Sequence, residues 1–208
     1  MIQNIFFSVS MFVLVKNDPL HCLNFHENPQ KKFVAVLKDP NLNSNNSIKK
    51  SKRTIVIPIK NRNSVVLKDS YFGPDDERNK EYSILGYFKN LGSYFVQVNL
   101  YERSEFVLVT NEGQLFKVWG MPHLSPDGHT IACFSQGIEY AVYDNGVQII
   151  DMQEKKLVER CRFTTKDYEP VGLKWTGLDE ITIKANFYDH NFNVKRTTYL
   201  SSKLAGHR

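Results

Sequence analysis

From Glu81 onward, apolar and polar residues alternate with a period of two in short runs separated by turn-forming residues, the pattern of β-strands in a meander. The first set of runs is Ser83 to Phe88, Ser93 to Tyr101, Glu105 to Thr110 and Leu115 to Trp119, parted by turns at Lys89-Asn90-Leu91-Gly92, Glu102-Arg103 and Asn111-Glu112-Gly113. A second set follows: Met121 to Leu124, His129 to Ser135, Gly146 to Asp151 and Lys156 to Phe163, with a Ser125-Pro126-Asp127-Gly128 turn and a longer loop from Gly137 to Asn145. A third set has three runs, Val171 to Trp175, Glu180 to Phe187 and Lys195 to Leu200, and then the chain turns polar. Equivalent turns recur about 36 and about 50 residues apart, bracketing the repeat of a propeller blade. No stretch carries a convincing helical period.

The N-terminal part is less regular. Residues 1–32 form a leading segment in which Ile5 to Val15 is apolar, as long as the core of an export signal yet without a preceding Lys or Arg. It reads as a degenerate export signal or as a buried strand, and it is too short to span a bilayer. Residues 33–80 hold irregular strands, at 33–38, Thr54 to Lys60 and Ser64 to Asp69, the last two joined by a turn at Asn61-Arg62-Asn63. Pro58 marks the first of that pair as an edge strand, because proline has no ladder donor. The polar stretch 41–53 reads as a mobile loop. Residues 81–204 form the blade-like domain.

The run Ser125-Pro126-Asp127-Gly128-His129-Thr130-Ile131-Ala132, with Gly146 to Asp151 behind it, resembles blades of the WD40 and TolB-like propeller families. The Gly-His start and closing Trp-Asp of a WD40 repeat are absent. Ile84-Leu85-Gly86-Tyr87 through Trp119-Gly120 and the Ser-Pro-Asp-Gly turn is also similar to uncharacterised, often exported bacterial proteins. The resemblance implies an all-β fold, an antiparallel meander of about three propeller-type four-stranded blades, and a periplasmic or secreted location, with the cytoplasm as the alternative. Three blades do not close a ring of four to eight. The N-terminal strands are available for an irregular fourth blade or for the missing outer strand of the third.

The formal charge of +5 sits largely in one cluster, Lys49, Lys50, Lys52 and Arg53, with Lys31 and Lys32 upstream. A solvated loop accounts for it, and the basic stripe or recognition helix of a nucleic-acid binder is missing. Cys22, Cys133 and Cys161 do not make an even disulfide framework. Cys133 and Cys161 fall on strands separated by a third, about 10 Å apart, beyond disulfide reach. Buried free thiols are therefore expected.

Candidate chemistry is sparse. His21, Cys22 and His26 lack the further ligands that zinc needs, and Asp75-Asp76-Glu77 lacks the alternating oxygens of a calcium loop. No metal or cofactor is expected. Ser125 lies between His123 and His129, but its hydroxyl fits a turn cap better than a nucleophile, and no phosphate-cradling glycine loop exists. The longest loops of the blade region place Tyr140, Tyr143, Tyr188 and His190 as candidate contacts for a protein partner or a second copy. The expected function is a non-catalytic interaction module. The alternatives are a hydrolase with its site at the mouth of the blades, or a structural subunit that completes a ring by self-association.

Overall fold

The computed structural model describes residues 22–34, 41–43, 48–60, 63–138 and 144–205. The segment Ile5 to Val15, the turn at 61–62 and most of the strand expected at 33–38 lie outside the described residues, and Phe33 and Val34 are not in a strand.

Among the described residues the protein is all-β and antiparallel. Strands β1 (His26–Glu27), β2 (Leu42–Asn43), β3 (Thr54–Pro58) and β4 (Ser64–Lys68) precede a regular series. That series begins with β5 (Glu81–Phe88), β6 (Ser93–Asn99), β7 (Ser104–Thr110) and β8 (Leu115–Val118). It continues with β9 (His123–Leu124), β10 (Thr130–Ser135), β11 (Gly146–Gln153) and β12 (Lys156–Thr164). It ends with β13 (Glu169–Trp175), β14 (Glu180–Tyr188) and β15 (Val194–Lys203). The strands form sheets in the orders β2-β5-β6-β7-β8, β12-β11-β10-β9 and β1-β15-β14-β13, with β3-β4 as a separate two-stranded sheet. Among the described residues the sheets are open and none closes on itself.

Side-chain alternation explains how these sheets stack. In β6 and β7, Phe95 and Leu108 point to one side and Val96 and Val109 to the other, and all four are fully buried. The first sheet is thus apolar on both faces. One face packs on Ile55, Ile57 and Leu67 of the β3-β4 hairpin, and the other on Ile131, Cys133 and Ile150 of the second sheet. The second sheet turns Ala132, Val147 and Ile149 toward Leu173, Trp175, Ile181 and Ile183 of the third. Hairpin and sheets lie in series, each packed on its neighbours.

The series ends on a polar face. Thr182, Lys184, Tyr199 and Ser201 share the outer side of the third sheet by register, and Thr182 and Ser201 pair through their hydroxyls at 2.8 Å. The missing outer strand is β1, which pairs His26 with Ser201 and Glu27 with Leu200. The N-terminal segment thus supplies the third sheet's fourth strand, one of the two roles open to it.

Two expectations are corrected. The polar stretch at 41–53 is not simply a loop: Leu42 is buried and, with Asn43, pairs with Phe88 and Tyr87. The cysteines are not all free thiols, because Cys22 and Cys161 form a disulfide with Cα atoms 6.2 Å apart, leaving Cys133 free and buried. The excluded pair was Cys133 with Cys161. The observed pair depends on a β-bulge: Ile149 faces Cys161 while Ile150 faces Glu159, so Arg160 is an extra residue. That insertion turns Cys161 away from the side occupied by Leu157 and toward the third sheet and Cys22.

Candidate functional site

The seam between the first and second sheets is held by two glutamine side chains. Gln114 donates through Nε2 to the Leu157 carbonyl and accepts the Leu157 N–H at Oε1, both at 2.8 Å. Gln148 is almost fully buried, and its Oε1 accepts the Trp119 N–H at 3.0 Å. Its Nε2 donates to Glu159 at 2.6 Å and lies 3.5 Å from the Lys117 carbonyl. Each amide thus supplies both a donor and an acceptor to backbone of the neighbouring sheet.

At the loop end of this seam the sheets part into a cleft of about 520 Å³. Phe106 from β7, Trp119 and Met121 from the β8–β9 link, and Phe134 from β10 make its apolar surface. Each ring is fixed from behind: Phe106 stacks on Phe95 at 5.5 Å, and Phe134 on His123 at 6.2 Å. The Arg162 guanidinium lies 5.4 Å from the Trp119 ring centroid, and its Nε is 2.7 Å from Glu159. The link can pass this close to β10 because Gly120 has φ +119°, and a Cβ there would sit 2.6 Å from the Phe134 carbonyl oxygen.

The rim is charged. Glu105 is shared by Lys117 at 2.9 Å and Arg103 at 3.2 Å, while Asp144 lines the cleft from the second sheet. Ser104 Oγ donates to Asn99 at 2.8 Å, and among the described residues no histidine lines the cleft. These groups can bury an apolar or aromatic moiety and orient a polar one beside it. None of them stands as a nucleophile beside a base.

The contact residues expected from sequence behave differently. Tyr140 and Tyr143 lie outside the described residues. Tyr188 is half-buried, with its hydroxyl donating to Glu169 at 2.7 Å. His190 is exposed in a turn closed by Asp189, whose Oδ1 accepts the Asn191 and Asn193 N–H groups. Those two backbone donors, that of Asn193 foremost, hold the Asp189 carboxyl below its usual range. Tyr188 and His190 share one turn, away from the cleft lining.

Ser125 caps its turn as its sequence context suggests. Its Oγ donates to Asp127 at 2.6 Å and accepts the Thr130 N–H at 2.9 Å. The Ser125 hydroxyl, then the His129 N–H, lower the Asp127 carboxyl below its ordinary range. Of the weak metal cluster, Cys22 is disulfide-bonded, His26 is exposed in β1, and His21 lies outside the described residues. Among the described residues no histidine, cysteine and carboxylate group could hold a metal ion. Asp76 instead pairs with Arg78, whose guanidinium draws its carboxyl down to about 2.

Trp119 was legible only as the end of a strand. The signal for the cleft was the aromatic at the close of one four-strand set followed by Gly-Met at the entry to the next. The fold and cleft define an all-β chain of serially stacked antiparallel sheets with an aromatic-lined opening between the first two. No family model, curated protein or solved structure matches this chain. Among the described residues no helix is long and apolar enough to cross a membrane.

Proposed function

We propose that this protein is a non-catalytic interaction module of propeller-blade type, exported in a bacterium, that takes its ligand in the cleft between the first two sheets. The observation that carries the reading is the half-buried Trp119, fixed by Gln148 through its backbone and by Arg162 over its ring, in an opening lined by Phe106 and Phe134. Aromatic side chains held rigid before binding lose little entropy on contact, which favours recognition. The blade reading is supported by the serial, face-to-face stacking of meander sheets. The export reading is supported by the Cys22–Cys161 disulfide, since such bonds persist in oxidising compartments.

The test uses the chain's two tryptophans as reporter and control. Trp175 is buried with its indole N–H donated to the His123 carbonyl. Titration with aromatic carboxylates, such as N-acetylphenylalanine, should shift the Trp119 indole signal in a ¹H–¹⁵N spectrum and leave that of Trp175 in place. If the Trp119 signal and the amides of Ser104 and Gly120 stay fixed across aromatic, aliphatic and saccharide probes, the cleft is not a binding site.

One observation favours a second reading, self-association. The two-stranded β3-β4 sheet leaves Val56 and Val66 half-exposed, 50% and 58%, on its outer face, where a partner sheet would cover them. Light scattering showing a strict monomer at high concentration removes it.

A further inference from the structure

We propose that residues 22–34 are a strap that closes the third sheet and that the Cys22–Cys161 disulfide is its latch. This inference does not depend on what the cleft binds.

The strap is anchored at one end, where Cys22 and Leu23 are buried in the core beside Leu200 and Leu204 and the Cys22 carbonyl accepts the Ala205 N–H at 3.1 Å, and is thinly held beyond it. β1 makes two residue pairs with β15, and both of its residues are exposed. Beyond it, Asn28 donates its N–H to the Tyr199 carbonyl at 2.8 Å, and Asn24 donates its own to Ser202 Oγ at 2.8 Å. Two ion pairs, Lys31 with Glu180 and Glu27 with Arg196, tie it at partly exposed positions where such pairs contribute little. Phe25 meets Phe163 edge-on at 5.2 Å, and Phe33 meets Tyr199 at 5.5 Å. Ordering residues 24–34 costs backbone entropy, which is offset more readily when Cys22 is already held near the site.

The disulfide supplies that proximity. It spans a sequence separation of 139 and fixes the strap's first residue to β12 of the neighbouring sheet. Docking of β1 then becomes a local event with a high effective concentration. Cys161 is presented for this by the bulge at Arg160, which belongs to the second sheet and does not need the strap. Without the strap, β13, β14 and β15 still pair with one another and keep Leu173, Ile181 and Ile183 against the second sheet. What opens is the outer edge of β15 at Leu200 and Ser201.

The closing step balances as thiol–disulfide exchange. One cysteine thiolate attacks a disulfide-bearing oxidant of the oxidoreductase class, and the other displaces the resulting mixed disulfide. The oxidant leaves as a dithiol carrying both electrons and protons. Once formed, the bond is shielded, with Cys22 8% and Cys161 2% exposed, so a reductant reaches it only when the strap lifts.

The experiment is hydrogen exchange by mass spectrometry on the full chain, oxidised and reduced, and on the Cys22→Ser and Cys161→Ala variants. A count of one alkylatable thiol in the denatured, unreduced protein confirms the starting state; three would overturn the proposal. The expected result is exchange at least about tenfold faster in β1 and Tyr199–Lys203 when the bond is absent. Protection at Phe95, in β10 and at Val147 to Ile150 should stay unchanged. Unchanged exchange in β15 would show that the strap holds itself, and loss of protection in all three sheets together would show a global staple. Either result sinks the latch.

Discussion

The buried amide of Gln148 holds the Trp119 N–H at 3.0 Å, so a side chain of β11 takes the place of a strand at the free edge of β8. Replacing Gln148 with Leu keeps the volume and removes the bond, leaving the Trp119 N–H only its weaker contact with the Cys133 sulfur. That should cost about 1–3 kcal/mol in urea unfolding. Gln114→Leu should do the same at Leu157. A loss below the error of the measurement in both variants would mean that apolar packing alone sets the seam.

The Ser125-Pro126-Asp127-Gly128 turn should make stability depend on acid. The Asp127 carboxyl titrates below its unfolded value, near 3.9, because Ser125 and the His129 N–H favour the charged form. A lowered folded value means that the stabilisation is complete above about pH 5 and is lost as pH falls through the folded value. Melting temperatures of the wild type and Asp127→Asn should therefore differ at pH 6 and converge by about pH 2. A constant gap would contradict the assignment.

Gly146, at the start of β11, has φ +152°, and a Cβ there would collide with the Phe163 carbonyl on β12. Gly146→Ala combines backbone strain with a clash against a paired strand. It should destabilise by about 2–4 kcal/mol, read from the denaturation midpoint.

Cys133 is a core side chain. It is fully buried, and burial pushes its thiol upward from the ordinary range. Cys133→Val should cost less than about 1.5 kcal/mol, since a side chain of similar size fills the same space. Alkylation of the native protein should be slow until it unfolds.

Strand positions from Glu81 onward were legible because alternation and turn residues are local signals. Ser125-Pro126-Asp127-Gly128 even shows its hydrogen-bond pattern in its residue types. Pairing across long separations was not legible: nothing local to His26 and Glu27 marks them as partners of Leu200 and Ser201. The bulge at Arg160 was equally hidden, and with it the face that Cys161 presents, since one inserted residue reverses every later side chain. Nothing local to Gln114 and Gln148 marks them as bridging residues, and only the neighbouring sheet gives them partners. The bond from the Tyr188 hydroxyl to Glu169 was likewise not legible, because it joins two strands across a sheet.

The covalent bond between Cys22 and Cys161 also decides how the molecule carries tension. A pull applied at its two ends passes from Cys22 through the sulfur bridge to β12, bypassing the chain between them. The hairpin and the first sheet are then bypassed, and among the described strands it is β13, β14 and β15, beyond Cys161, that can be drawn out. At roughly 3.4 Å per residue, the bridge hides on the order of 470 Å of contour length. An anchored, oxidised copy would thus lose its third sheet under strain while the aromatic cleft between the first two stayed whole.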